Sequence, residues 1–544
     1  MKTRTKSALT LSLAVTVTGA LAAGCSGGGG SAETSAVPSA GATSPSAAEN
    51  QSSAIKPISL TYWSDLVANA SASVTNLGQT EMYKELEKRT GVKVTFKHPA
   101  AGNVTEAFGL MIASRDLPDV IEAAWIYHQG GPAKAIEDNI IIPLEDLIDK
   151  HAPNLKKILA ENPEVKKQIS TDKGQIYAFP SLNLQNNRVF GGLLIRKDWL
   201  DELGLTVPQT VSEWETALRA FKEKKGAANP FTMDKGSFTN SQLGFMGAYG
   251  INNDVYVDNG KVKFGPVQPE FKEFLTTLNK WYKEGLLDPD FATNDGKIVD
   301  SKITTGKSGA TFGYIGGTIG KYLPVLREKD PKATLVMAQY PVLNKGETPR
   351  FIFRDWEYNH SGAAAITTAN KNPVDTVKWL DYLYGSEGHM LKNFGVEGLT
   401  YKLENGYPKY TDLILNNPDK LPVAQAMGKY FRANYPSPGL ADDRYLEQYY
   451  VYQEQKDALK TLSTYADNAV KVLFPPATNT PQESEEVTKL GGEISTYKDE
   501  MLFKFIMGTE PIANFDKYTD QLKKLGIERV VALKQAALDR YNAR

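Results

Sequence analysis

The sequence predicts an α/β fold, and the prediction rests on the order of its periodic segments. Strand-like runs at 58–62, 92–96 and 119–123 are separated by helix-like stretches at 80–89 and 103–114. Thr90-Gly91 stops the first of these helices, as a glycine past a helix end should. Strands alternating with helices imply parallel sheets covered on both faces. A second, helix-rich half shows at 211–222, 269–284, 373–384 and 445–465. Residues 304–321, rich in Gly, Thr and Lys, read as a loop, and 334–337 as a strand. No internal repeat is evident.

Composition narrows the function classes. The chain has 544 residues, 41% hydrophobic and 23% charged, with 62 Lys+Arg against 63 Asp+Glu. That balance excludes general disorder and fibrous repeats. At roughly 150 residues per domain the length gives about three domains or two large lobes. The single cysteine, Cys25, excludes an intrachain disulfide, a CxxC redox pair and a cysteine-rich zinc site. A net charge of −1 without a basic cluster argues against nucleic acid as a partner.

The N-terminus carries an address. Lys2, Arg4 and Lys6 precede an uncharged stretch, 7–24, rich in Leu, Ala, Val and Thr, which is the layout of a secretory signal. The run ends Leu21-Ala22-Ala23-Gly24-Cys25, similar to a bacterial lipobox. Residues 1–24 are therefore expected to be a lipoprotein signal peptide and Cys25 the lipid-bearing first residue of the mature chain. Loss of the three cations takes the net charge from −1 to −4. Residues 26–55, of which 24 of 30 are Gly, Ser, Ala, Thr or Pro, cannot bury enough apolar surface to order themselves and read as a flexible tether. The expected location is the extracellular face of a cell membrane, held through lipid only, in a Gram-positive bacterium.

In open α/β sheets ligands bind beyond the carboxyl ends of strands. Aromatic and polar residues fall there three times: Trp63 and Asp65 after the first strand, Trp125 and Tyr127 after the third, and Trp356 and Tyr358 after a strand expected near 350. Indole and phenol faces beside carboxylates and amides suit sugars, whose C–H faces stack on rings and whose hydroxyls hydrogen-bond. Trp199, Trp214, Trp281 and Trp379 lie in helix-like patterns and are expected in the core. Tyr314, in a glycine-rich run at 313–320 that is neither GxGxxG nor GxxxxGK[ST], is expected to line the cleft.

Eight segments in series resemble the family 1 extracellular solute-binding proteins, and within them the larger LplA/LipO-like lipoproteins. They are KRTGVKVTF (88–96), SRDLPDVIEA (114–123), IIPLEDLIDKHAPNL (141–155), GQIYAFP (174–180), LLIRKDWLDELGL (193–205), FMGAYGI (245–251), WYKEGLLDPDFA (281–292) and FGVEGLTY (394–401). The resemblance implies a two-lobed periplasmic-binding-protein-like fold with a hinge and an interlobe ligand cleft. It also implies a partition into a first lobe at 56–180, a second at 181–353, a return at about 354–425, and a C-terminal helical part, 426–544, mainly in the second lobe. It places Tyr177 at the hinge and Glu397 on a cleft-side turn. Asn187 and Arg188 are candidates for hydroxyl or carboxylate recognition, and Arg188 or Arg354 for a uronic acid. Arg196, Asp198 and Trp199 are read as structural.

The implied activity is capture of a carbohydrate, an oligosaccharide, by a monomeric receptor that delivers it to the permease subunits of an ABC importer. The alternatives are a surface-tethered hydrolase or lyase and a receptor for a non-sugar solute. No catalytic residues and no cofactor are expected: there is no GxSxG elbow and no HExxH. No metal is expected either. The segment 222–231, where some relatives carry a calcium loop, has one carboxylate, and the acidic cluster 288–296 fails the EF-hand register, since its glycine makes Phe291 first and Lys302 twelfth.

Overall fold

The computed structural model describes residues 55–185, 188–239 and 244–544. Residues 1–54, with the expected signal, Cys25 and nearly all of the expected tether, lie outside them, as does Asn187. In chain order the strands are β1 (Ser59–Trp63), β2 (Lys93–Lys97), β3 (Val120–Glu122), β4 (Phe179–Leu182), β5 (Gly191–Arg196), β6 (Phe231–Thr232), β7 (Val255–Asp258), β8 (Lys261–Phe264), β9 (Ala310–Tyr314), β10 (Leu335–Met337), β11 (Tyr358–Ile366), β12 (Tyr401–Glu404), β13 (Tyr407–Tyr410) and β14 (Gly439–Leu440).

Two sheets divide the protein into two lobes. The first has the order β14-β4-β11-β3-β1-β2 and the second β10-β5-β9-β6, with β7-β8 and β12-β13 as separate hairpins. Expected parallel, both are mixed. β1 runs parallel to β2 and β3, but β11 is antiparallel to β3 and β4, because it enters the first sheet from the second lobe. In the second sheet β5 is antiparallel to β9 and β10, and only β6 and β9 are parallel. The chain crosses from one sheet to the other between β4 and β5, between β10 and β11, and again at 450–452. β14 keeps the return with the first sheet up to Leu440, past the boundary near 425 that the sequence suggested; helix Gln453–Ser463 then packs on β10.

Local chemistry explains the elements. In helix Glu81–Thr90, Thr80 caps the N-terminus, Met82, Tyr83 and Leu86 face inward, and Gly91 turns at φ 71° while its N–H closes on Glu87 O. The expected loop at 304–321 is instead β9 and a π-helical turn, Ile315–Ile319. Its glycines serve close packing: a Cβ on Gly316 would sit 2.2 Å from the Tyr449 ring. The single helix expected at 445–465 is two, Asp443–Tyr449 and Gln453–Ser463, broken where the chain changes lobes.

Each lobe has its own core. Leu60, Ile121, Phe179, Ala364 and Trp379 pack in the first; Trp214, Phe221, Phe274, Trp281 and Phe505 pack in the second. The first core also encloses an ion pair. Arg432 meets both carboxylate oxygens of Glu122 at 2.9 and 2.6 Å, Tyr62 Oη donates to Glu122 at 2.7 Å, and Tyr83 Oη accepts from Arg432 at 3.1 Å. Removing either charge would strand the other in low dielectric, at about 3–5 kcal/mol. In the second lobe Arg196 chelates Asp198 and lies over the Trp199 ring at 4.6 Å, the structural role expected of all three.

Candidate functional site

A cavity of about 480 Å³ opens between the lobes, within the ~300–1,000 Å³ range of small-molecule sites. The first lobe gives it Ile126 and Tyr127; the second gives Asn252, Asp254 and Val255 just ahead of and at the start of β7. The crossing into β11 contributes Arg354 to Trp356 and Tyr358 to His360. The rest of the wall is the loop 473–479 and the inner faces of helices Pro481–Met507 and Ile527–Ala543.

Tyr127 is the most exposed aromatic residue among the described residues, at 75%, and presents its ring to the cavity nearly perpendicular to that of His360, 5.1 Å away. Desolvation pulls the His360 pKa down to about 4, so near neutral pH the imidazole is uncharged and offers one donor and one acceptor. Trp356 is half-buried beside it. Asp355 accepts from Asn359 Nδ2 at 2.8 Å; burial pushes its pKa up to about 6, against this bond and the charges of Arg354 and Arg188, which lower it. The wall therefore combines open aromatic faces with amides and a neutral imidazole.

Glu357 fastens the same segment to both flanks: Arg188 Nη2 reaches its carboxylate at 2.8 Å and Gln168 Nε2 at 2.7 Å. Tyr340 Oη donates to Gly191 O at 2.8 Å and accepts from Phe353 N at 3.1 Å, tying the second crossing to the first. Hinge and cavity wall are thus contiguous in the chain.

Of the residues singled out by sequence, Tyr127, Trp356 and Tyr358 meet on this cavity, joined by Arg354. Tyr358 is almost fully buried and shares a hydroxyl–hydroxyl hydrogen bond of 3.0 Å with Tyr177, which is itself buried at the base of the hinge and does not reach the wall. Trp125 is a correction: it is fully buried, its indole N–H donates to Ile121 O at 3.3 Å, and its ring packs nearly perpendicular to that of Phe108, so it belongs to the core. Trp63 is likewise buried against Phe108, and the half-buried Asp65 beside it does not line the cavity. The Arg188 guanidinium is taken by Glu357 and Gln185 O. Tyr314 is 48% exposed but packs on Phe312 and Phe353 outside the cavity wall. Glu397 is exposed on a turn that bridges to Tyr401, away from the cavity. Asp355-Trp356 precedes β11, where sequence had placed it after a strand.

Sequence reasoning missed Asn252, Asp254 and the whole C-terminal wall. The available signal was the segment Phe474-Pro475-Pro476-Ala477-Thr478-Asn479, an aromatic, proline-stiffened polar loop.

Two α/β lobes, a crossing hinge and a cavity between them define a solute-binding protein. The family described as bacterial extracellular solute-binding protein matches residues 71–390, more than half the chain, and this protein belongs to it. It is 27% identical over 519 residues to the fructooligosaccharide ABC transporter substrate-binding protein FusA of Streptococcus pneumoniae, covering 88% of this chain and 90% of FusA. It is 24% identical over 461 residues to lipoprotein LipO of Bacillus subtilis, covering 81% and 86%. Among solved structures, that of alginate-binding protein AlgQ2 without calcium ion aligns with a TM-score of 0.75 at 28% identity, over 89% of this chain and 98% of AlgQ2. FusA in complex with kestose aligns with a TM-score of 0.73 at 24% identity, over 89% and 99%.

Proposed function

We propose that the protein is a lipid-anchored receptor on the outer face of a cell membrane. It captures an oligosaccharide between its lobes and delivers it to the permease of an ABC importer. The observation that carries this reading is the interlobe wall of Tyr127, Trp356, His360, Asn252 and Asn359: rings for pyranose or furanose faces, and amides for hydroxyls. The relatives lend support, since FusA is named for fructooligosaccharide, AlgQ2 for alginate and a Bacillus subtilis homologue, MelE, for melibiose, raffinose and stachyose. They are binding proteins, which favours capture without turnover. Cys25 and the tether after it supply the anchor, and lobe closure about the hinge supplies the state a permease can distinguish.

A glycan array followed by calorimetry on the mature chain tests this. Stoichiometric binding of a saccharide recovered intact is the expected result. Cleavage of the sugar would favour the tethered-enzyme alternative, and binding of only a non-sugar solute would replace the ligand class. Separately, Cys25→Ala is expected to release the protein from washed membranes, and its retention there would argue against lipid anchoring.

A further inference from the structure

The C-terminal wall of the cavity holds polar groups that the fold leaves unspent. Lys534, on helix Ile527–Ala543, lines the cavity, and among the described residues it has no hydrogen bond or ion pair. Its ammonium is only 5.5 Å from the centre of the Phe474 ring, which is also on the wall. Burial pulls its pKa down, while the charges of Asp254 and Glu483 oppose that shift from beyond pairing distance. Glu483 is itself committed to Arg540 and to the capping box of helix Pro481–Met507. Asn479, on the adjoining loop, has a buried Oδ1 that no donor among the described residues reaches. The neighbouring Lys498 differs, because Asp499 pairs with it at 2.7 Å.

The cavity's two carboxylates are engaged within their own segments. Asp355 accepts from Asn359, and Asp254 Oδ1 accepts its own Val255 N–H at 2.7 Å. A half-buried cation whose nearest carboxylates stay beyond pairing distance keeps its charge open to the cavity, and its natural complement is an anion that arrives with the ligand.

Building on the receptor reading, we propose that Lys534 is a specificity-determining residue for an anionic saccharide. A carboxylate or sulfate substituent pairs with its ammonium, and a ring hydroxyl donates to Asn479 Oδ1. The wild-type mature chain and Lys534→Met would be titrated by calorimetry, at low and high salt, with a short oligogalacturonate, its methyl ester and a sulfated neutral oligosaccharide. The expected result is binding of the acid about tenfold tighter than of its ester, an advantage that shrinks with salt and disappears in Lys534→Met, while affinity for the ester holds. Lys534→Arg should retain the preference, which separates charge from packing. The same Lys534-dependent preference for the sulfated sugar alone would assign the subsite to sulfate. Equal affinity for acid and ester, or a preference that survives Lys534→Met, would overturn the inference. Binding of a neutral oligosaccharide with none of the anionic probes would overturn it too, and would leave the receptor reading standing.

Discussion

Replacing Lys302 by methionine should cost the protein a large part of its stability, and the structure gives the size. Lys302 lies on helix Gly296–Thr304 and points its ammonium into a nest of oxygens: Asp288 Oδ1 at 2.9 Å, Asp288 Oδ2 at 2.7 Å, Asp290 Oδ2 at 3.1 Å and Asn294 Oδ1 at 3.2 Å. Asp288 is completely buried and also accepts from Thr232 Oγ1 at 2.5 Å, so the cluster clamps the segment after helix Pro269–Lys283 onto β6. The residue that spoils the EF-hand register is therefore itself the cation among these oxygens. Burial raises the Asp288 pKa, but the bonds from Lys302, Thr232, the Asp290 N–H and Asn294 outweigh it and leave it below the usual value. Without the ammonium a buried carboxylate keeps only neutral donors. Breaking a buried pair in this way costs about 3–5 kcal/mol, against a total of ~5–15 for a typical protein.

Urea unfolding read at unchanged m-value measures the loss. Adding Asp288→Asn to Lys302→Met should recover part of it, because the stranded charge is gone. The pH dependence has a definite sign. In the wild type, Asp288 has a depressed folded pKa, so its contribution is present above the unfolded value of about 3.9 and is lost as pH falls through the folded one. The cost of Lys302→Met should therefore be full near pH 7 and shrink on acidification, because without the ammonium the variant's Asp288 takes up its proton at a higher pH than the wild type's does. A loss under about 1 kcal/mol at neutral pH, or one unchanged on acidification, would refute the reasoning.

Trp356→Ala and Tyr127→Ala should each weaken saccharide affinity by about 1–3 kcal/mol by calorimetry with the thermal midpoint unmoved, since both rings face the cavity. Trp125→Ala should do the reverse, costing about 3–5 kcal/mol of stability in denaturant while the folded fraction binds normally, because the indole is fully buried in the core. Asp355, with its folded pKa pushed up to about 6, should lower stability as pH rises from about 4 to 6, and Asp355→Asn should flatten that part of the stability–pH curve.

The alternation of strand and helix, the core tryptophans and the second-lobe cluster of Arg196, Asp198 and Trp199 were legible in the sequence, because periodicity and local spacing encode them. Strand direction was not. β5 and β9 look like any buried strands, and their antiparallel pairing follows from the crossings, which no local pattern records. Trp125 misled for a related reason: it follows β3 beside polar residues, but a one-turn 3-10 segment, Trp125–Tyr127, rotates its ring into the core and leaves Tyr127 facing out. Two residues in that turn decide between core and ligand wall, and composition cannot.

The cavity itself is a product of tertiary folding. Ile126 and Lys534 both line the cavity although 408 residues separate them, and no motif spans that separation. What sequence did mark is 354–359, the segment in which hinge and wall coincide. Glu357 turns away to hold Arg188 and Gln168, while the residues on either side of it face the cavity. This division has a thermodynamic consequence. A ligand shifts an open–closed equilibrium only by its differential affinity for the two states. One stacked on Tyr127 alone would touch a single lobe and could not close the protein. One that also meets Asn252 and the C-terminal helices gains its remaining contacts only when the second lobe arrives. On the receptor reading proposed above, binding energy and closure are then the same event, with the crossing segment as the place where both are felt.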